Sequence, residues 1–450
     1  MSRSASYSHP GSTEPKSFLD CLRHFLTPQV WKQVLGGIRP GKVSRWQPQP
    51  LIFVFLVMTW CAGDSLPERF ETARAFYVAL YQKRRRPGTT CEGFQKALAR
   101  VPMAALRIIA SAVRRRLAQV FADRFQVDGF IPIGCDGSRV ACPRSAELEQ
   151  RLGGGSKDDS PPMLWVTALV HLSLGLLWSW RLGNGTASER EHLRHLLATL
   201  PRGTLLVADA GYVGYELLQA LCAAGQSFLI RLTSRAPLYV PNKSTLKKYR
   251  EGLVYYWPQT MQRQELPPIP VRLLCIRGAK VNVWLITNVV DEQRLTKKTA
   301  SKFYRWRWRN EGLFRTYKRT LGKVKLLSRT VALVHREMEG SLLAVQLLLA
   351  QGALALQQTG ETKLLPSARK ILLEIRVEIR NVTGMYLGPR QRRTYWQRLK
   401  QARGDVRRRR GDKTRRAWPG REPHRPPGSP KILKMGTILK DLMERTLRIA

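Results

Sequence analysis

The chain changes its pattern of apolar and polar positions more than once. Residues 16–125 read as helical: FLDCLRHFL, then the apolar run PLIFVFLVMTWCA, then PERFETARAFYVALYQ, then a long segment from Cys91 to Phe125. Arg84, Arg85 and Arg86, followed by Pro87 and Gly88, punctuate the last two of these. From Val127 the period changes, and FIPIGCDGSRVAC is strand-like on both sides of Asp136. The apolar stretch at residues 163–180 is interrupted by His171, Ser173 and Gly175, and its β-branched and aromatic residues predict two buried strands around a turn. A helix around TASEREHLRHLLATL follows, then a short buried strand ending at Asp209, another helix, and the strand FLIRL. Strands succeeded by helices predict an α/β core with some parallel pairing. Residues 235–290 hold short strand candidates separated by turns, and helices resume after Thr299.

This pattern divides the chain. Residues 1–15 are expected to be disordered, and 16–125 to form a helical N-terminal region, either a DNA-end-binding domain or a scaffold. Residues 126–358 form the α/β core, interrupted by a β-rich insertion at 235–290. A C-terminal helix is expected at 359–388, a basic disordered tail at 389–430 and a short C-terminal helix at 431–450. Neither early apolar run reads as a membrane span. Residues 50–62 are too few to cross a bilayer, and residues 163–180 carry the break described above.

Charge narrows the class of partner. The 450 residues include 77 Lys plus Arg against 32 Asp plus Glu, a formal net charge of +45. Because 43% of residues are hydrophobic, most of the chain is expected to fold rather than behave as a disordered polycation. Such an excess attracts a polyanion, and counterion release favours nucleic acid. Arg407 to Arg410 form an unbroken run suited to backbone contact without sequence reading. The seven cysteines are scattered and contain no C-x-x-C pair, which argues for reduced thiols in a cytoplasmic protein and against a zinc knuckle. The N-terminal stretch is polar and lacks an apolar signal core.

Chemistry concentrates in FYRWRWRNEGLFRTYKRTLGK. If this segment is a continuous helix at about 100° per residue, Tyr304, Arg307, Glu311 and Lys318 share an arc of roughly 60°. A carboxylate held between cations beside an apolar face suits metal and phosphate together. Two upstream acids join it. Asp136 lies in an apolar strand pattern and is also compatible with the first position of a type I′ turn. Asp209 follows LLVA, at a strand end where open α/β sheets place ligands, and is also compatible with a helix N-cap. Glu311 is equally compatible with an ordinary ion pair to Arg307 or Arg315.

Taken together, these residues resemble the DDE transposases of bacterial insertion sequences, in the group with a Tyr-x2-Arg-x3-Glu-x6-Lys signature. Tyr304, Arg307, Glu311 and Lys318 match that spacing without a gap. Asp136 in CDGSRV resembles the first-acid motif and Asp209 in ADAGYVG the second. Asn310, before Glu311, departs from the family's more frequent aliphatic residue, a change expected to loosen packing without touching a ligand. The resemblance spans roughly residues 127–350. It implies a ribonuclease H-like catalytic core with a β-rich insertion, flanked by helical N- and C-terminal regions. It further implies two Mg²⁺ ions, with Mn²⁺ able to substitute, held by Asp136, Asp209 and Glu311. Tyr304, Arg307 and Lys318 would contact DNA phosphates, and Trp257, Trp284 or Trp308 would stack a base. The implied activity is cleavage at transposon ends and transfer of the 3′-hydroxyl strand into target DNA, by a homodimer assembled on double-stranded DNA in the bacterial nucleoid. The alternatives are a non-enzymatic DNA-binding remnant and a metal-dependent nuclease without strand transfer.

Overall fold

The computed structural model describes residues 15–38, 44–153, 159–241, 251–278, 282–384, 393–402 and 428–449. The N-terminal stretch read as disordered therefore lies almost wholly outside the described residues, as do the Arg407–Arg410 run and most of the basic tail. The chain is mixed α/β. It divides into two compact units, one formed by residues 1–117 and 339–405, the other by residues 118–338 and 406–450.

The first unit is helical. Its front part consists of α1 (Phe18–Phe25), α2 (Pro28–Gly36), α3 (Pro48–Met58), α4 (Leu66–Leu80), α5 (Cys91–Ala99) and most of α6 (Met103–Val120). Caps fix several starts. Ser17 with Asp20 and Ser65 with Glu68 form capping boxes, so orphan N–H groups at α1 and α4 are satisfied locally. The apolar run at residues 50–62 becomes α3, apolar all round because nearly all its side chains are buried.

Two C-terminal helices complete that unit. α15 (Ala368–Val382) and α16 (Tyr395–Gln401) follow the long α14 (Val331–Gln358), which belongs here from Glu339 onward. Tyr395 of α16 packs edge-on against Phe18, with centroids 5.4 Å apart, and its hydroxyl donates to Gln351 Oε1 at 2.9 Å. Arg398 pairs with Glu374 and Glu378. Part of the stretch read as a basic tail is thus a capped helix in the core, because its aromatic residues outweigh its charge. The core read as continuing to residue 358 gives way at Met338. α14 is also long and apolar enough to cross a membrane by composition, and its apolar window is entirely buried within the protein.

The second unit is built on one sheet. Short α7 (Ala122–Phe125) leads to β1 (Ile131–Ala141), then α8 (Ala146–Leu152), β2 (Met163–His171) and β3 (Leu176–Asn184). α9 (Glu189–Leu196), β4 (Thr204–Ala208), α10 (Tyr215–Ala223) and β5 (Ser227–Arg231) follow. The apolar stretch at residues 163–180 forms the β2–β3 hairpin, turning at Gly175 with φ of 66°. β1 pairs antiparallel with β2 and parallel with β4, and β4 pairs parallel with β5. β4 is buried at every position, as expected of a central parallel strand covered on both faces.

The insertion continues the same sheet. β6 (Leu238–Val240), β7 (Gly252–Tyr256), α11 (Gln259–Arg263), β8 (Ile269–Ile276) and β9 (Val283–Thr287) join through β9, which pairs antiparallel with β5. After α12 (Lys297–Trp306) and α13 (Trp308–Arg315), the chain reaches α14 and eventually β10 (Ile432–Lys434) and α17 (Thr437–Ile449). β10 pairs parallel with β6, so the sheet order is β10-β6-β7-β8-β9-β5-β4-β1-β2-β3. Residues 431–450, read only as a short helix, therefore also return a strand to the insertion. Met435 and Met443 bury Trp257 there.

Candidate active site

Strand register brings the first two acids abreast. Gly134 of β1 lies opposite Val207 of β4, and continuing that parallel register by two residues pairs Asp136 with Asp209. Neighbouring strands lie about 4.8 Å apart. Asp136 remains within the strand rather than turning a hairpin, which removes the turn reading of its Asp-Gly pair. Its Oδ1 accepts from the Gly137 N–H at 2.9 Å. Asp209 realises the capping reading: its Oδ1 accepts from the Ala210 N–H at 2.8 Å at the start of a short 3-10 turn.

The third acid arrives on α13. Asn310 is fully buried, and a Cβ on Gly134 would stand 2.7 Å from its amide atoms, so glycine in β1 is what lets α13 approach. Arg309 donates to the carbonyls of Leu172 and Ser173, tying the same helix to the β2–β3 turn. Burial brings the Arg309 pKa down to about 10. Glu311 is thereby carried to the middle of β1 at Asp136, beside the carboxyl end of β4. Asn310, expected to loosen the packing here, instead fills the space beside Gly134 with its side chain and leaves no gap.

Arg307 links two of the acids. It is only 6% exposed, with Nη1 4.0 Å from Asp209 Oδ2 and Nη2 3.7 Å from Glu311 Oε1. Glu311 thus does make the ordinary i,i+4 pair, and it does so inside the site. Asp209 also meets Arg231, at the end of β5, at 3.8 Å. Asp136 has its pKa pushed up to about 6, chiefly by burial and further by the charges of Glu189 and Glu311, against the lowering effects of the Gly137 N–H and Arg307.

The signature segment is not one uniform helix. It breaks between α12 and α13 at Arg307, and Thr316–Thr320 winds as a π-turn, so Lys318 does not follow the 100° spacing. Burial lowers the Lys318 pKa. Tyr304 is buried beside Asp209 and Arg307, and burial raises its pKa. Of the three tryptophans, Trp257 is fully buried, with its indole N–H donating to the Leu266 carbonyl at 2.9 Å, so it is core rather than a stacking platform. Trp284 is half-buried on β9. Trp308 is 60% exposed, with the Arg307 guanidinium 5.0 Å from its ring.

The donor set suits a hard divalent cation. Carboxylate oxygens are the ligands such ions take. Several buried polar atoms here lack a hydrogen-bond partner: Tyr304 Oη, Arg307 Nε and both amide atoms of Asn310. Orphans of this kind are costly and are satisfied by a bound anion or ordered water. Among the described residues no three His, Cys, Asp or Glu side chains are drawn together closely enough to grip an ion as they stand. The positive charge between Asp209 and Glu311 is instead a guanidinium.

Three neighbours escaped the sequence reading. Arg231 is the last residue of a strand, Glu189 the first of a helix, and Tyr212 lies in the turn after Asp209. Only Tyr212 carried a signal, as part of the ADAGYVG motif.

Comparison with known proteins bears on this region. Residues 135–347, just under half of the chain, match the family described as transposase DDE domain. The chain is 26% identical over 196 residues to the transposase InsG of insertion sequence element IS4 from Escherichia coli strain K12, covering 41% of this chain and 43% of that protein. It therefore spans less than half the length of this curated relative. Among solved structures, a piggyBac transposase synaptic complex with hairpin DNA is similar with a TM-score of 0.45 and 11% identity, covering 86% of this chain and 85% of that one.

Proposed function

We propose that this chain is a metal-dependent DNA transposase that cleaves at transposon ends and joins the freed 3′-hydroxyl strand to target DNA. The observation that carries this reading is the convergence of Asp136 within β1, Asp209 just past the end of β4 and Glu311 on α13, with Arg307 at contact distance from the last two. The match of residues 135–347 to the transposase DDE domain supports it. The strand order β3-β2-β1-β4-β5, antiparallel across the first three and parallel beyond, supports a ribonuclease H-like reading of the core.

Asp136, Asp209 and Glu311 would hold two Mg²⁺ ions, or Mn²⁺, which when bound activate the attacking hydroxyl and stabilise the departing oxygen. This chain's own groups do the rest. Arg307, held beside the Asp209 and Glu311 carboxylates, would offer its guanidinium to a phosphate at the same site. Tyr304 and Lys318 supply further donors around that phosphate, where charge builds during transfer. The exposed ring of Trp308 suits stacking on an unpaired base, worth about 1–3 kcal/mol. The large positive charge favours nucleic acid as partner, and the resemblance to DDE transposases implies double-stranded DNA bound by a homodimer in the bacterial nucleoid.

The test is direct. Purified protein is incubated with Mg²⁺ and a duplex carrying the ends of its own element, and the products are mapped. End cleavage followed by joining to target DNA is expected. Asp136→Asn, Asp209→Asn and Glu311→Gln should each abolish both steps while retaining DNA binding. Cleavage without joining would make the chain a nuclease. Binding without cleavage in the wild type would leave a DNA-binding protein.

A further inference from the structure

Strand register puts a third charged residue in line with the two acids. β4 and β5 pair in parallel with Ala208 opposite Ile230, so the next step of that register sets Arg231 opposite Asp209. Asp136 lies on the other side of Asp209 in the same row. Residues abreast in parallel strands point to one face, so Arg231 shares the face of both acids, two strand spacings or about 10 Å from Asp136. Contact distances agree. Arg231 Nη1 lies 3.8 Å from Asp209 Oδ1, and Arg307 Nη1 approaches the other oxygen, Oδ2, at 4.0 Å. Asp209 is thus flanked by two guanidiniums, one from the sheet and one from the helical segment packed over it.

The two arginines differ in what they still offer. Arg307 is buried, whereas the Arg231 side chain is 30% exposed. At 3.8 Å the contact with Asp209 is an ion pair but no hydrogen bond, and among the described residues the Arg231 guanidinium meets no other acid and no hydrogen-bond acceptor. Other arginines of this unit are spent on main-chain carbonyls, Arg309 on Leu172 and Ser173, and Arg272 on Val290 and Leu295. Arg231 keeps its fork of N–H donors for a group outside the chain.

We infer that Arg231 is a second phosphate-binding arginine of the site, holding the DNA phosphate next to the one being cut. This rests on the transposase reading given above. Arg307 stands beside Asp209 and Glu311 and serves the reacting phosphate. Arg231 lies one strand further from Asp136, where β5 meets β9 of the β-rich insertion, and takes the neighbouring phosphate of the same DNA strand. A planar guanidinium can hold two phosphate oxygens at once, which fixes the direction of that strand across the row of acids.

The test uses the full chain and a duplex carrying the ends of its element, reading cleavage rate and the salt dependence of binding. Arg231→Gln should slow cleavage by about 10–100-fold. It should also lower the slope of log affinity against log salt by about 0.9, the share of one phosphate contact. Arg231→Lys should restore the slope but not the full rate. A neutral methylphosphonate on either side of the scissile phosphate locates the contact. At one of those positions it should slow the wild type as much as Arg231→Gln does, and slow that variant no further. Full additional loss in the variant at both positions would overturn the inference. So would a changed Mn²⁺ affinity with an unaltered salt slope, the mark of a residue that only holds Asp209 in place. Wild-type cleavage by Arg231→Gln, with none by Asp209→Asn, would remove Arg231 and leave the site reading intact. Cleavage by Asp209→Asn would sink the site reading itself. If Arg231→Gln fails to fold, Arg231→Lys takes its place. A smaller methylphosphonate effect in that variant than in the wild type supports the inference, and an equal one overturns it.

Discussion

Arg307 Nη1 lies 4.0 Å from Asp209 Oδ2, and the arginine is 6% exposed. A buried cation in that position competes with any metal for the same oxygens. Arg307→Gln should therefore bind Mg²⁺ severalfold more tightly in the absence of DNA, as calorimetric titration would read. Cleavage should move the other way, falling about 10²–10³-fold, the usual cost of losing one donor to the developing charge. Parallel loss of both would mean the arginine merely holds the fold.

Asp136 predicts a pH signature. Its pKa of about 6 in the folded chain is above the ordinary value of 3.8 in the unfolded one, so folding binds this proton. The stabilisation is complete below about pH 4 and is lost as pH rises through 6. Metal-free Asp136→Asn cannot ionise there. It should match the wild type near pH 4 and exceed it at pH 7, by at most about 3 kcal/mol for a shift of this size. Mg²⁺ should reverse that ranking by stabilising only the wild type. Denaturant titrations at both pH values, with and without Mg²⁺, would show it.

Lys323 and Glu337 form a buried pair, 4% and 6% exposed, with Nζ 2.8 Å from Oε1. Burial works to raise the Glu337 pKa, but Lys323 and the Ser328 N–H outweigh it and hold the group low. The Leu327 and Ser328 N–H groups also donate to Glu337, fixing the loop that follows the π-turn. Lys323→Met should cost about 3–5 kcal/mol by stranding a buried carboxylate. The double change with Glu337→Leu should recover much of that loss in the same unfolding measurement.

The tryptophans separate stability from binding. Trp257→Ala removes a fully buried ring between the insertion and α17 and should cost about 3–5 kcal/mol. Faster proteolysis of the C-terminal segment would report its release. Trp308→Ala should leave stability within about 0.5 kcal/mol because the ring is mostly exposed. Its effect should appear instead in affinity for unpaired DNA ends.

Much of the fold is legible along the chain. The break at His171, Ser173 and Gly175 marks a hairpin, and the uniformly apolar LLVA marks a central strand, because periodicity is a property of neighbours. The helix of Tyr395–Gln401 is not legible under its charge, since its stability comes from Phe18 and Gln351, far away in sequence. The same holds for β10, which is a strand only because β6 offers an edge.

By itself the sequence determined the alternation of strands and helices and the presence of one acid within a strand and another just after one, both written in local order. Tertiary structure alone decided that Arg307 stands between Asp209 and Glu311, that Glu189 leans on Gly137, and that Trp257 is core. Those relationships depend on strand register and on which helix packs over which glycine. No stretch of neighbouring residues contains that information.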